Sequence, residues 1–171
     1  MTSKFESVPV IRYAALALQT RCDTVNRFER AGARLAMLDA IARIGDQVRT
    51  ARRFIGQQLR LVVLPEYFMT GFPMGESIQG WADKACVDPD GVEMGKLSEV
   101  AQSADVYLSG NLCELDRHFP GLYFQTCFIL DPSGNVILRY RRMISMYAPT
   151  PHDVWDRYLD IYGIEAVFPV A

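Results

Sequence analysis

A carboxylate follows directly on an apolar run in Leu61-Val62-Val63-Leu64-Pro65-Glu66, and Gly71-Phe72-Pro73 marks a turn just beyond it. In α/β folds the C-terminal ends of strands open into the crevice where ligands bind. An acid there can serve as a general base, although an ordinary exposed corner residue has the same sequence signature. A second pattern is Cys113 with His118 five residues on, the thiol and base of a nucleophilic dyad. A reactive cysteine needs an activating environment, and the surrounding residues supply none. Glu114 and Asp153 have the chemistry of supporting acids without a defined place, and His152, beside a helix start, reads as a surface or capping residue.

The chain has 171 residues, half of them apolar and 22% charged, enough for one buried core and cramped for two. A formal charge of −2 gives no electrostatic case for nucleic acid or an anionic membrane surface. The local clusters Arg49/Arg52/Arg53 and Arg139/Arg141/Arg142 read as a solvated helix face and a strand end. Cys22, Cys86, Cys113 and Cys127 form no C-x-x-C pair and are joined by only two histidines, so a zinc site has little support and no metal or other cofactor is expected. Reduced thiols fit a cytoplasmic protein. No apolar stretch approaches membrane-spanning length, and neither G-x-G-x-x-G nor G-x-x-x-x-G-K-[ST] occurs for nucleotide phosphates.

The elements that must position these residues follow from periodicity. Residues 1–9 read as a polar tail, and Val10 to Gln19 as a first strand. From Phe28 to Ile55 the apolar residues Leu35, Leu38, Ile41, Ile44, Val48, Ala51 and Ile55 recur every three or four positions, which predicts a long amphipathic helix stopped near Gly56. Leu59 to Leu64 has the look of a strand covered on both faces, completing a right-handed βαβ unit with Glu66 at its mouth. Two short helices are expected around Ile78–Ala85 and Met94–Ala104, then a strand from Asp105 to Leu112. Leu122 to Leu130 and Val136 to Tyr140 flank Asp131-Pro132-Ser133-Gly134-Asn135, the turn of an antiparallel hairpin. Thr150-Pro151 starts a helix with Val154, Trp155, Tyr158, Leu159 and Tyr162 on its buried side, and Ala166 to Val170 reads as one more strand.

Three stretches together resemble the nitrilase superfamily of carbon–nitrogen hydrolases, over nearly the whole chain from Ile11 to Val170. Ala14-Ala15-Leu16-Ala17-Leu18-Gln19 is similar to the family's opening strand. Val62-Val63-Leu64-Pro65-Glu66 with Gly71-Phe72-Pro73 resembles its glutamate motif. Phe128 to Ile137, leading into Tyr140-Arg141-Arg142, resembles the hairpin that delivers the family's lysine, here replaced by Arg142. A guanidinium stays protonated, so Arg142 can supply charge but hardly proton transfer.

The resemblance implies an α-β-β-α sandwich, present here as the amino-terminal portion spanning residues 10–171 and incomplete at its C-terminal end. It implies a Glu–Lys–Cys mechanism acting on a small amide or nitrile, with Glu66 and Arg142 in the glutamate and lysine places. The nucleophile's place lies downstream of the segment around Phe168-Pro169-Val170, so the isolated chain is expected to be inactive. A non-catalytic relative that keeps the fold for binding or assembly is the other expectation, motivated by Arg142. Either way the open final strand suggests a homo-oligomer or a complementary chain as partner.

Overall fold

The computed structural model describes residues 12–145 and 148–171. Its first strand, β1 (Ala14–Ala17), leads to the long helix α1 (Arg30–Ile55), which buries Met37, Ile41, Ile44 and Val48 along one stripe. Gly56, at φ 89°, ends α1 in a backbone conformation that side-chain-bearing residues avoid, and its N–H bonds the carbonyl of Arg52. Strand β2 (Leu59–Val63) returns parallel to β1, with Leu16 opposite Val62. Helices α2 (Ile78–Ala85) and α3 (Val92–Ala104) follow and both pack on α1. Strand β3 (Tyr107–Leu115) then lies parallel to β2.

From β3 onward the sheet is antiparallel. Strands β4 (Tyr123–Leu130) and β5 (Val136–Arg141) form the expected hairpin, whose turn is held by Asp131 accepting from the backbone N–H groups of Ser133 and Asn135. The order is β1-β2-β3-β4-β5 in one five-stranded sheet. A short 3-10 turn, Pro151–Val154, precedes α4 (Trp155–Tyr162), and Thr150 and Asp153 make a reciprocal capping box at its start.

Register divides the sheet into two unlike faces. Val62, Leu108, Leu112, Phe128 and Leu130 are buried in the main core with Met37, Ile41, Ile44 and Leu97 of α1 and α3. Phe124, on the same face near the hairpin's end, joins Phe119, Tyr158 and Val167 in a second cluster under α4. The alternate positions Val63, Tyr107, Cys127, Ile129, Leu138 and Tyr140 are exposed or half-exposed. Toward the C-terminal end of β3 this second face closes again over Cys113 and Gln125.

Several expectations are corrected by this arrangement. Strand β2 is covered on one face only, because no layer among the described residues packs over Leu61 and Val63. The strand over Asp105–Leu112 begins later and runs on to Leu115, since Asp105 is spent as the left-handed cap of α3. Ala166 to Val170 is not a strand: Ile164–Ala166 forms a 3-10 turn, and Val167 is drawn into the second cluster. A strand exists only by pairing, and this packing turns the segment away from the sheet. The proposed polar tail of residues 1–9 and the start of the first strand at Val10 lie outside the described residues.

The basic clusters are not simply solvated. Arg52 bonds the carbonyls of Ala104, Gly56 and Leu59 and pairs with Asp105, which ties the end of α1 to that of α3. Arg141 is buried. Among the described residues no helix is long and apolar enough to cross a membrane.

The packing of β3 against Phe68 and Phe128 depends on one glycine. A Cβ at Gly110 would stand 2.8 Å from the Phe128 ring and 3.2 Å from that of Phe68. Gly110→Ala is therefore expected to cost about 1–3 kcal/mol by overpacking, read as a lower urea midpoint with unchanged slope. Phe54→Ala, at a side chain 92% exposed on α1, should leave the midpoint within error.

Candidate active site

Glu66 is placed by the way β2 ends. The N–H of Leu64 still bonds Ser109 on β3, Pro65 offers no N–H, and the chain then turns sharply. Tyr67 takes φ 53°, a left-handed conformation unusual for an aromatic residue, and its carbonyl accepts from Thr70 and Gly71. Gly71, at φ 68°, passes so close to Thr24 that a Cβ would meet that residue's Cα at 3.1 Å. Strain at Tyr67 is held by packing: its ring lies 4.3 Å from that of Phe72 between centroids, and Phe68 and Met69 are fully buried. Burial, with the neighbouring Cys113 and Glu66 adding to it, pushes the Tyr67 hydroxyl up to about 12.

Arg142 comes to the same place from the other side of the sheet. Its backbone N–H bonds the Gln125 carbonyl at 2.8 Å, one step beyond β5, and its guanidinium Nη2 donates to Glu66 Oε1. Two residues 76 apart in sequence thus form an ion pair at one end of the sheet. The side chains are 42% and 40% exposed, so the pair stands open to water and not in the partly enclosed cleft that its motif context suggests. The reason is the same uncovered face that leaves Val63 and Tyr140 half-exposed.

The neighbouring residue, Arg141, takes the opposite face. Its Nε bonds Glu114 Oε1 at 3.0 Å and its Nη1 lies 2.7 Å from Asp116 Oδ2. The guanidinium sits over the rings of Phe124, Tyr162 and Tyr158, at 4.7, 5.0 and 5.7 Å from their centroids. Tyr162 of α4 donates its hydroxyl to Asp116 at 2.5 Å, and Arg139 reaches the second oxygen of Glu114 at 3.3 Å. Burial works to raise the Asp116 carboxyl, but the Tyr162 hydroxyl, the His118 N–H and Arg141 outweigh it and hold it below the usual range. Burial works to lower the pKa of Arg141, and Glu114 and Asp116 more than reverse this. Glu114, for which the sequence defined no place, is thus a buried counter-ion.

The structure does not bring Cys113 and His118 together. Cys113 is buried on β3, where its Sγ accepts from Trp81 Nε1 at 3.3 Å and donates to Gln125 at 3.7 Å. His118 belongs to the loop beyond, where its ring accepts from Arg117 and packs edge-on against Tyr162. Cys86 is buried beside Cys113, and burial, then the hydrogen bond with Cys113, raises its thiol well above the ordinary value. Cys22 is exposed but raised by desolvation and Asp23, and Cys127 accepts from Asn111. His152 is exposed near Trp155, and Asp153 caps the turn before α4. Among the described residues no group of three His, Cys, Asp or Glu side chains could hold a metal ion.

Comparison with known proteins follows the same outline. The profile of the carbon-nitrogen hydrolase family matches residues 17–163. No curated protein sequence matches the chain. Among solved structures it is similar to Saccharomyces cerevisiae Nit3, a member of branch 10 of the nitrilase superfamily, at 22% identity and a TM-score of 0.53, over 64% of this chain and 40% of that one. It is also similar in fold to an N-terminal amidase solved with an Asn-Glu peptide, at 13% identity and a TM-score of 0.50, over 68% of this chain and 26% of that one. The chain therefore spans less than half the length of these relatives.

The buried acids give a test in pH. A carboxyl whose folded pKa is depressed contributes stability above its unfolded pKa and loses that contribution as pH falls through the folded value. Asp116→Asn should therefore lower the urea midpoint at pH 7, and the gap from the unaltered protein should narrow below about pH 4, the ordinary range of an Asp carboxyl. A gap independent of pH would assign the loss to packing alone.

Proposed function

Because the chain belongs to the carbon-nitrogen hydrolase family, we propose that it is the amino-terminal portion of a domain that hydrolyses a small amide or nitrile. Glu66 is the general base and Arg142 the cation facing the developing negative charge. The observation that carries this reading is the Glu66–Arg142 ion pair, formed at the mouth of β2 from two separate motifs.

In this chemistry a thiol gives its proton to Glu66 and its sulfur bonds to the amide carbon, while the carbonyl electrons move onto oxygen. Collapse expels the amine with the proton that Glu66 held, leaving a thioester. Glu66 then takes a proton from water, which attacks the thioester, and the released thiolate recovers that proton. Arg142 carries no proton in either step, because a guanidinium stays charged. Its positive charge stabilises the oxyanion, a contribution of about 3 kcal/mol for one well-placed donor.

We assign the thiol to residues outside 1–171, either a continuation of the polypeptide or a complementary chain. Cys86, Cys113 and Cys127 are held in packing or hydrogen bonding, and Cys22 and Cys86 are raised away from the reactive thiolate form. The half-exposed sheet face supports the same view, since apolar positions such as Ile129 and Leu138 there invite a second layer. The specific observation favouring a non-catalytic binding or assembly protein is Arg142, which ties up the base in a charge pair that a substrate would have to loosen.

The 171-residue chain alone is expected to show no turnover of small amides or nitriles and to elute as self-associated species in size-exclusion chromatography with light scattering. Combined with the residues that complete the sandwich, it should hydrolyse such substrates, and Glu66→Gln should lower kcat/KM by about 10²–10⁴-fold. Turnover in the completed protein that is indifferent to Glu66→Gln would overturn the assignment of the base. A completed protein with no turnover at all would support the binding reading.

A further inference from the structure

Consecutive arginines lie at the last residue of β5 and the one after it, and only one of them can face Glu66. Neighbouring side chains on a strand point to opposite faces, and the Asp131–Asn135 turn sets the hairpin's register, so Arg141 leaves on the face that carries Glu114 and Arg142 on the other. The end of β5 lies farthest from that turn and needs an anchor of its own.

We propose that Arg141 is the positioning residue for Arg142: filling a socket of two acids and three rings on one face of β5, it anchors the strand end that aims Arg142 at Glu66 on the other. The inference rests on the reading of Glu66 and Arg142 as the reacting pair. The two destinations are unequal. The Arg141 socket offers both Glu114 and Asp116, with Phe124, Tyr158 and Tyr162 around the guanidinium, and the side chain there is 5% exposed. The Glu66 position offers one carboxylate in contact with water.

Leaving Asp116 buried without its cation, and Glu114 with Arg139 alone, is far worse than leaving Glu66 solvated without its own, so the socket and not the exposed pair holds this end of β5. Charge pairs inside a protein are weakly screened, whereas exposed ones contribute little. The Arg142 pair therefore does not hold itself in place. It inherits its direction from the residue before it.

The socket is also where α4 docks. Tyr158 and Tyr162 both come from α4, and Tyr162 closes the cluster by donating to Asp116. Backbone bonds continue the grip through the next residue, since the Arg142 N–H is held by the Gln125 carbonyl. Seating of α4, burial of Arg141 and the direction of Arg142 thus form one mechanical unit.

The arginine Nε–Hε resonances of the completed protein read this directly and without substrate. The Arg142 signal is identified by its loss in Arg142→Lys, and in the otherwise unaltered protein it should shift on Glu66→Gln, which removes the charge it faces. In Arg141→Met that response to Glu66→Gln should disappear, and in Arg141→Lys, which restores a cation to the socket, it should return in part. Because Arg141→Met leaves Asp116 without its cation and Glu114 with Arg139 alone, and can fail to fold, the triple variant Glu114→Gln, Asp116→Asn, Arg141→Met is measured alongside it, with circular dichroism to establish folding. The same loss of response is expected there, since the socket no longer anchors the end of β5. A folded Arg141→Met or triple variant whose Arg142 signal still answers Glu66→Gln would overturn the proposal. Inactivity of the completed protein would count against the hydrolase reading while leaving this result standing.

Discussion

Alternation along the strands governs what each residue of this chain can do. A side chain pointing toward α1, α3 and α4 enters a packed, nearly dry layer, and its neighbour on the same strand meets water or a thin cover. Phe124 and Gln125 are adjacent, yet one packs with Tyr158 and the other hydrogen-bonds Asn111. Arg141 and Arg142 divide in the same way, one as a structural counter-ion and the other as partner of Glu66. The candidate site therefore needs the helices on the far face, although none of their core residues touches it. By packing on the sheet, α1 and α3 determine where both motif ends emerge.

The loop after Glu66 carries the other constraint. A left-handed Tyr67 is unfavourable on its own, of the order of 1–3 kcal/mol for such strained backbone, and persists because Phe68 and Met69 on its C-terminal side are buried and Gly71 can pass close to Thr24. Asn26 reinforces the loop by donating to the carbonyls of Phe72 and Pro73, and Lys84 reaches from α2 to Glu76 at 2.5 Å and to the Asn26 carbonyl. Glu66 is thus held by residues drawn from the segment before α1, from α2 and from its own turn.

Much of this was legible in the sequence, and the failures share a cause. The spacing of Ile41, Ile44 and Val48 announced α1, the Asp131–Asn135 turn announced the β4–β5 hairpin, and an acid after an apolar run located the strand mouth, because each signal is local. Arg141 looked like part of a charge run, since its acids lie 27 and 25 positions earlier on β3 and beyond it. No local pattern distinguishes it from Arg142. The segment from Ala166 to Val170 has strand composition, but whether it pairs depends on what Val167 packs against, which is a property of α4 and the Phe119 loop. Cys113 and His118 are close in sequence, and the strand continuing to Leu115 carries them into different surroundings.

The hydrogen-bonded row on the less covered face has a consequence for hydration. Gln125 donates to Asn111, Asn111 donates to Cys127, and Cys113 bridges Trp81 and Gln125, so these polar side chains already satisfy one another across β3 and β4. Gln125, Asn111 and Cys113 are already buried, and covering the half-buried Cys127 beside them would abandon few unmet donors or acceptors, so drying it costs little. Whatever layer comes to rest there need bring only a matching shape. The row behaves as a polar seam inside an apolar wall, able to tolerate either a wet or a dry neighbour without rearranging.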